Sequence, residues 1–284
     1  MGIGGVVIMQ IFEFNGITFA NYQKFVFGSI EGLNEGDVTQ QTEQYLEQDG
    51  VDILSSYYEP RTVTLKGHIL AENEVELYDL RQKLTRACNS KTKGTLRYGN
   101  GLKTYFSEAV AELPQYGGAI ANKGLPFSID FTLYNFFWKD DYKRIDNVLK
   151  LVNHIDDSFT FPLQFTTLTT IATVTNSGDV PCPLIIKILG IGGTVGAEGF
   201  TMINNTTGQF ITLTYNIIDD EVVTIDTQEL TIVSSLNGNI LHKITNDSDI
   251  DMKLVLGPNL IEGINSAGNQ IIITTEHYDM YVGV

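Results

Sequence analysis

A chain of 284 residues and 31.5 kDa, 43% hydrophobic and only 18% charged, can bury one large or two ordinary cores, which excludes a disordered tail. Its formal net charge of −16 at pH 7 excludes a surface built to grip nucleic acid, because phosphate binding needs clustered Lys and Arg. The richest apolar stretch, 183–196, is broken by Lys187 and several glycines, and a membrane helix needs about 20 apolar residues, so no span is expected.

Residues 1–8 are small and apolar but lack a basic n-region and a cleavage-like site, which argues against a signal peptide and leaves Met9 as an alternative start. Ile11-Phe12-Glu13-Phe14, then Asn15-Gly16, then Ile17-Thr18-Phe19 predicts a hairpin, since both turn residues tolerate positive φ. A strand follows near 25–30. From Gly32 to Gly50 the composition turns polar and acidic with little period. We read it as a long loop, a candidate contact arm carrying Asn34, Gln40, Gln44 and Gln48.

Alternation resumes over 61–70, with Val63, Leu65 and Ile69 on one side, Gly67 as a candidate bulge, and His68 an ordinary surface residue on the polar side. The spacing then predicts one helix over 73–88. Asn73 caps it, Glu76 completes a capping box, and Leu77, Leu80, Leu84 and Ala87 form one apolar stripe to pack on a sheet. Arg81, Lys83, Arg86, Lys91, Lys93 and Arg97 read as a solvated face balancing an acidic neighbour, another subunit's included. No aromatic residues interleave with them for base stacking. A second hairpin is expected over 94–106. Phe127, Ile129, Phe131 and Leu133 then alternate with polar residues. The change from Phe136-Phe137-Trp138 to Lys139-Asp140-Asp141 places a domain boundary near residue 145, dividing the chain into 1–145 and 146–284.

The second half reads as β throughout, with strands near 171–176, 184–189, 210–215, 222–226, 230–233, 252–256 and 270–275. Turn signals separate them, among them Gly178, Gly192-Gly193, Gly208 and Gly257-Pro258. Short strands at this spacing without helical patterns predict a sandwich or jelly roll, so the fold class is mostly β: two β-sandwich domains, the first with one packed α-helix. Cys88 and Cys182 fall in different domains with no metal or redox spacing and read as buried small hydrophobes made in a reducing cytosol.

Chemistry finds no foothold. Gly190 to Gly196 fails the dinucleotide spacing, having Val195 where Gly is required, and no helix follows it. Asp247, Asp249 and Asp251 lack the turn Gly and distal Glu of a calcium loop and read as alternation on a solvent-facing edge. His68, His154, His242 and His277 show no zinc spacing. Asp219-Asp220-Glu221 reads as a hairpin turn, although carboxylate pairs for glycoside hydrolysis meet only in a fold. Asn205-Thr206-Thr207 matches a glycosylation sequon that carries no weight without a secretion signal. No catalytic residue, cofactor site or metal site is assigned.

The order of signals, however, is specific. The run Tyr58-Glu59-Pro60-Arg61-Thr62-Val63-Thr64-Leu65-Lys66-Gly67, the helix, Gly94-Thr95-Leu96-Arg97-Tyr98 and the aromatic segment ending in Phe137-Trp138 resemble the N-terminal domain of siphophage distal tail proteins. The run 175–185, then Asn205-Thr206-Thr207-Gly208, 223–227 and Leu256-Gly257-Pro258-Asn259 are similar to that family's C-terminal domain in order and spacing. The resemblance implies a galectin-like, jelly-roll second domain and a homohexameric ring closed by the first domains. It implies a place at the virion tail tip, joining the tail tube to the tail-tip (hub or lysin) protein. Tape measure protein and receptor-binding or baseplate proteins are the further partners implied, with no enzyme activity and no membrane contact. An acidic ring lumen would let DNA pass without binding it, one account of the net charge.

The alternative is a glycan-binding, lectin-like adhesin. Sugar sites stack a ring on an aromatic face. The single Trp138 lies at the boundary, leaving Tyr215, Tyr278 and Tyr281 as platforms in the second half. A wall-degrading hydrolase would require turnover on cell-wall substrate, and no motif here points to one.

Overall fold

In a computed structural model, residues 10–45, 49–120, 123–149, 170–191, 200–265 and 270–284 are described. The expectations for the first eight residues, Met9, Gln48, His154 and Gly192-Gly193 lie outside them. No helix among the described residues is long and apolar enough to cross a membrane. The chain forms two compact units, Met1–Asp141 with Tyr281–Val284, and Tyr142–Met280. The sequence-based boundary near 145 falls inside a strand of the second unit, and the last four residues belong to the first.

The first unit runs β1 (Ile11–Phe14), β2 (Ile17–Phe19), β3 (Phe25–Glu31), β4 (Val38–Glu43), β5 (Asp52–Tyr58), β6 (Arg61–Leu70), α1 (Glu74–Ala87), β7 (Gly94–Gly99), β8 (Thr104–Ala111), β9 (Gln115–Tyr116), β10 (Gly124–Leu133) and β11 (Trp138–Asp140). Its main sheet is ordered β2-β1-β7-β8-β10-β6-β3, and each pairing with a given register is antiparallel. The predicted Asn15-Gly16 turn is present, with φ 45° and 77°, and the second hairpin closes with Gly99 opposite Thr104. The sheet bends where β8 and β10 share only Ala111–Phe131 and Val110–Thr132. Its two halves thereby face each other. Phe12 and Phe14 of β1 meet Phe131 of β10 at ring-centroid distances of 5.4 and 4.9 Å, and Phe19 meets Phe127 at 5.7 Å. Such pairs each contribute about 0.5–1.5 kcal/mol beyond the area they bury.

Helix α1 covers this core with Leu77 and Leu84, while Leu80 and Ala87 pack partly buried. Asn73 caps it by accepting from the Glu76 amide at 2.9 Å, and the Glu76 carboxylate reaches one residue further back than a capping box requires, to the Glu72 amide at 2.7 Å. The bulge expected at Gly67 is on the partner strand instead. The register of β3 shifts at Gly28, a position that only glycine fits, since a Cβ there would lie 2.7 Å from the Lys66 carbonyl oxygen. Gly67 is needed for a different reason: a side chain there would meet the Val26 carbonyl and the Phe127 ring.

The second unit runs β12 (Arg144–Leu149), β13 (Thr170–Asn176), β14 (Cys182–Ile191), β15 (Phe200–Asn204), β16 (Gln209–Leu213), β17 (Val222–Asp226), β18 (Thr231–Ser234), β19 (Gly238–Asn239), a 3₁₀ turn at Leu241–Lys243, β20 (Lys253–Leu254), β21 (Gly257–Asn265) and β22 (Gln270–His277). One sheet is ordered β12-β22-β14-β17-β18-β19, the other β13-β21-β15-β16. They stack face to face: a Cβ on Gly263 of β21 would lie 2.7 Å from Ile273 Cδ1 of β22. Ile186, Ile188, Ile225 and Ile273 from one sheet and Met202, Ile211 and Ile261 from the other are fully buried, each worth about 1.5–3 kcal/mol relative to exposure.

Two expectations fail in this unit and one in the first. Gly257-Pro258 is not a turn between strands but the start of β21, with Gly257 at φ 82° and Pro258 opposite Thr175. The strand expected over 252–256 shrinks to Lys253–Leu254, and β15 carried no prediction. The acidic arm is no loop.

Candidate interaction surface

The arm folds into an antiparallel ribbon. Strands β4 and β5 pair only with each other, from Val38–Tyr58 at the base to Glu43–Asp52 near the tip, with a register shift between Gln41 and Thr42. All seven residues of β5 are exposed, including Ile53, Leu54 and Tyr57 at 58%, 61% and 47%. Leu54 is the extra residue at that shift, and it and its neighbour Ile53 leave apolar surface open on the ribbon. An isolated two-stranded ribbon is marginal in water, and open apolar strands are association sites. Gln40 and Gln44 lie exposed on it, whereas Asn34 belongs elsewhere: its Oδ1 accepts from the Val284 amide at 2.8 Å, holding the C-terminus.

The base of the ribbon is anchored firmly. Tyr58 stacks on Phe136 at 4.2 Å. The buried Arg61 guanidinium lies 3.9 Å over the other side chain of that pair, Phe136, and donates to the carbonyls of Leu33, at 2.7 Å, and Val282. The Trp138 indole, fully buried, also donates to Leu33.

The six basic residues expected on a solvated face are all exposed. Lys93 pairs with Glu108 at 3.7 Å and Arg97 with Asp141 at 3.4 Å, while Arg81 lies 4.8 Å over the Tyr116 ring.

In the second unit polar groups act as fasteners. Asn176, Asn204 and Asn259, buried and from three strands, grip the segment around β20. Asn176 Nδ2 donates to Leu254 O, Asn204 Nδ2 to Lys253 O, and Asn259 both donates to and accepts from Val255. Gly178 is obligatory beside them, since a Cβ would lie 2.4 Å from the Met280 carbonyl oxygen, while Gly208 ends a turn at φ 77°. Asp249 is not on an alternating edge; its carboxylate accepts from the Phe210 amide at 3.0 Å. Glu221, read as part of an exposed turn, is buried and accepts from Tyr215 Oη at 2.7 Å, the Ile218 amide at 2.9 Å and Ser234 Oγ. Burial raises its pKa, but these bonds more than offset that and hold it below the usual carboxylate range.

No chemistry converges. Among the described residues no group of His, Cys, Asp and Glu is placed to hold a metal. Cys88 and Cys182 are free and buried, and burial pushes both thiols up to about 12, far from the thiolate a nucleophile requires. Of the aromatic platforms, Tyr215 is engaged with Glu221, Tyr281 lies in the first unit edge-on to Tyr105, and Tyr278 is half-buried.

Residues 13–128 match the phage tail protein RIFT-related domain, and residues 177–279 match the C-terminal domain of the siphovirus-type tail component. The chain belongs to the siphophage distal tail protein family. Its fold agrees with the crystal structure of the SPP1 Dit (gp 19.1) protein, described as a paradigm of hub adsorption apparatus in phages infecting Gram-positive bacteria. That likeness has TM-score 0.71 at 11% identity, over 95% of this chain and 98% of the other. The phage P2 baseplate in its activated conformation with Ca contains a similar chain, with TM-score 0.54 at 11% identity over 94% and 97%. The same baseplate with Sr gives 0.53 at 12% over the same shares. No curated protein matches by sequence. As a distal tail family member the chain is a structural component of the virion tail, not an enzyme.

Proposed function

We propose that this chain is the hub of a long non-contractile tail tip, six copies closing into a ring through their first units. The ring joins the tail tube to the tail-tip protein, with the tape measure protein and the receptor-binding or baseplate proteins as its other neighbours. DNA passes through the lumen unbound. Synthesis in the host cytoplasm agrees with two free cysteines and no disulfide among the described residues.

The observation that carries this reading is the matching of two tail-component domains in tandem over one chain. An exposed ribbon in the first unit, its strands paired only with each other, supports it, because uncovered apolar strand surface marks an association site. The test is the mass of the purified chain by light scattering, with negative-stain images of the same peak. The expected result is about six times 31.5 kDa and a ring with a central hole. A monomer at every concentration, alone and with tube protein, overturns the ring.

A further inference from the structure

In the second unit, β12 ends one sheet and β13 ends the other. Between them lies a polar pocket of about 220 Å³, lined by Tyr142, Arg144, Ile145, Asp146, Thr173 and Thr175, all residues of that unit. Strand alternation builds it. Side chains two apart share a face, so Arg144 and Asp146 come from one face of β12, and Thr173 and Thr175 from one face of β13. Tyr142, just ahead of β12, is 73% exposed, and both threonines are exposed as well.

Buried groups hold the two rims in place. Arg144 Nε lies 2.6 Å from the carboxylate of Asp279, which is 1% exposed and also accepts from the Ser177 amide at 2.9 Å. On the other rim, the Thr175 carbonyl lies 3.2 Å from Nε2 of the buried His277.

The lining narrows the ligand. An aromatic ring beside two hydroxyls, a carboxylate and a guanidinium suits a molecule with an apolar C–H face and a rim of groups that both donate and accept, which describes a sugar ring. One cation and one anion cancel, which favours a neutral sugar over a charged one. The volume is below the about 300–1,000 Å³ of pockets that enclose drug-sized molecules, which leaves room for a single ring. Asp146 is the only carboxylate in the lining, whereas glycosidic cleavage uses two, so the pocket is built to hold a sugar and not to cut one.

We propose that this pocket binds one ring of a neutral sugar, stacked on Tyr142 and hydrogen-bonded by Arg144, Asp146, Thr173 and Thr175. The inference goes beyond the hub reading, since it gives the second unit a ligand of its own and needs no second copy of the chain.

The test is saturation-transfer NMR on the full chain, with glucose, galactose, mannose and N-acetylglucosamine as probes. The expected result is transfer to at least one of them, strongest at the C–H protons of one ring face. Tyr142→Ala abolishes it, while Tyr142→Phe, which keeps the aromatic face, retains it. Asp146→Ala weakens it at least about tenfold. Tyr142 is exposed, so the Tm of its variants should match the parent. Dextran and a neutral galactan, run beside the free sugars, distinguish a glycan chain from a monosaccharide as the source of the ring, and a response from either supports the site. No transfer to any of these probes, or equal transfer with Tyr142→Ala, overturns it. The hub reading stands or falls separately, on the mass of the same sample by light scattering.

Discussion

Two buried ionisable residues of the second unit make its stability depend on acidity. Glu221 is held ionised by Ser234, Ile218 and Tyr215, with its pKa below the usual range once burial is offset. Its contribution is therefore complete above its unfolded value near 4.5 and is lost as pH falls through the lower folded value. Glu221→Gln places an amide donor among these donors and is expected to cost about 1–3 kcal/mol near pH 7. Urea unfolding should show that gap closing as pH falls below about 4.5. His277 works in the opposite protonation state. Burial lowers its pKa, its Nε2 lies 3.2 Å from the Thr175 carbonyl, and Nδ1 has no partner. The unfolded chain takes up this proton from about pH 6.5 downward, before the native state does, so stability declines with acidification from that point. His277→Gln, whose amide can still donate to Thr175, should flatten the decline between about pH 7 and pH 5 in the same melts.

At the scale of elements, β20 and the start of β21 are fastened by asparagines as well as by apolar packing. Asn259→Ala should cost about 1–3 kcal/mol by chemical denaturation, because the Val255 amide loses its acceptor in a buried place. That clamp could not be read from the sequence: Asn176 and Leu254 are 78 residues apart, and Asn204 and Asn259 are 55 apart. What was legible is local. Asn73 and Glu76 announce α1 within one turn, and Val63-Leu65-Ile69 announces β6, because each signal lies inside its own element. The ribbon was illegible for the converse reason. Alternation records one buried face, and β5 has none. Gly257-Pro258 misled because a glycine at positive φ and a proline usually interrupt a strand; here they open one, and the proline lacks only a donor that a strand's first residues can spare. Glu221 gave no signal at all, since a carboxylate after two aspartates looks like any solvated turn.

At the scale of the whole molecule, the chain leaves the first unit after Asp141 and returns to it at Tyr281. The return matters to Arg61, whose buried guanidinium donates to Val282, and to Asn34, which receives the Val284 amide. Deleting 281–284 should therefore destabilise the first unit by about 1–3 kcal/mol, one buried donor being left unmet. Thermal melts of the full and shortened chains, followed through the single tryptophan, Trp138 of the first unit, would register it.

The same return path makes the second unit an insert. Its first and last strands lie side by side, Arg144 opposite His277, with Arg144 Nε 2.6 Å from the Asp279 carboxylate. A module whose entrance and exit are neighbouring strands can be exchanged through one doorway. The second unit can thus be exchanged whole, while the first keeps an unbroken set of strands and its own C-terminal segment.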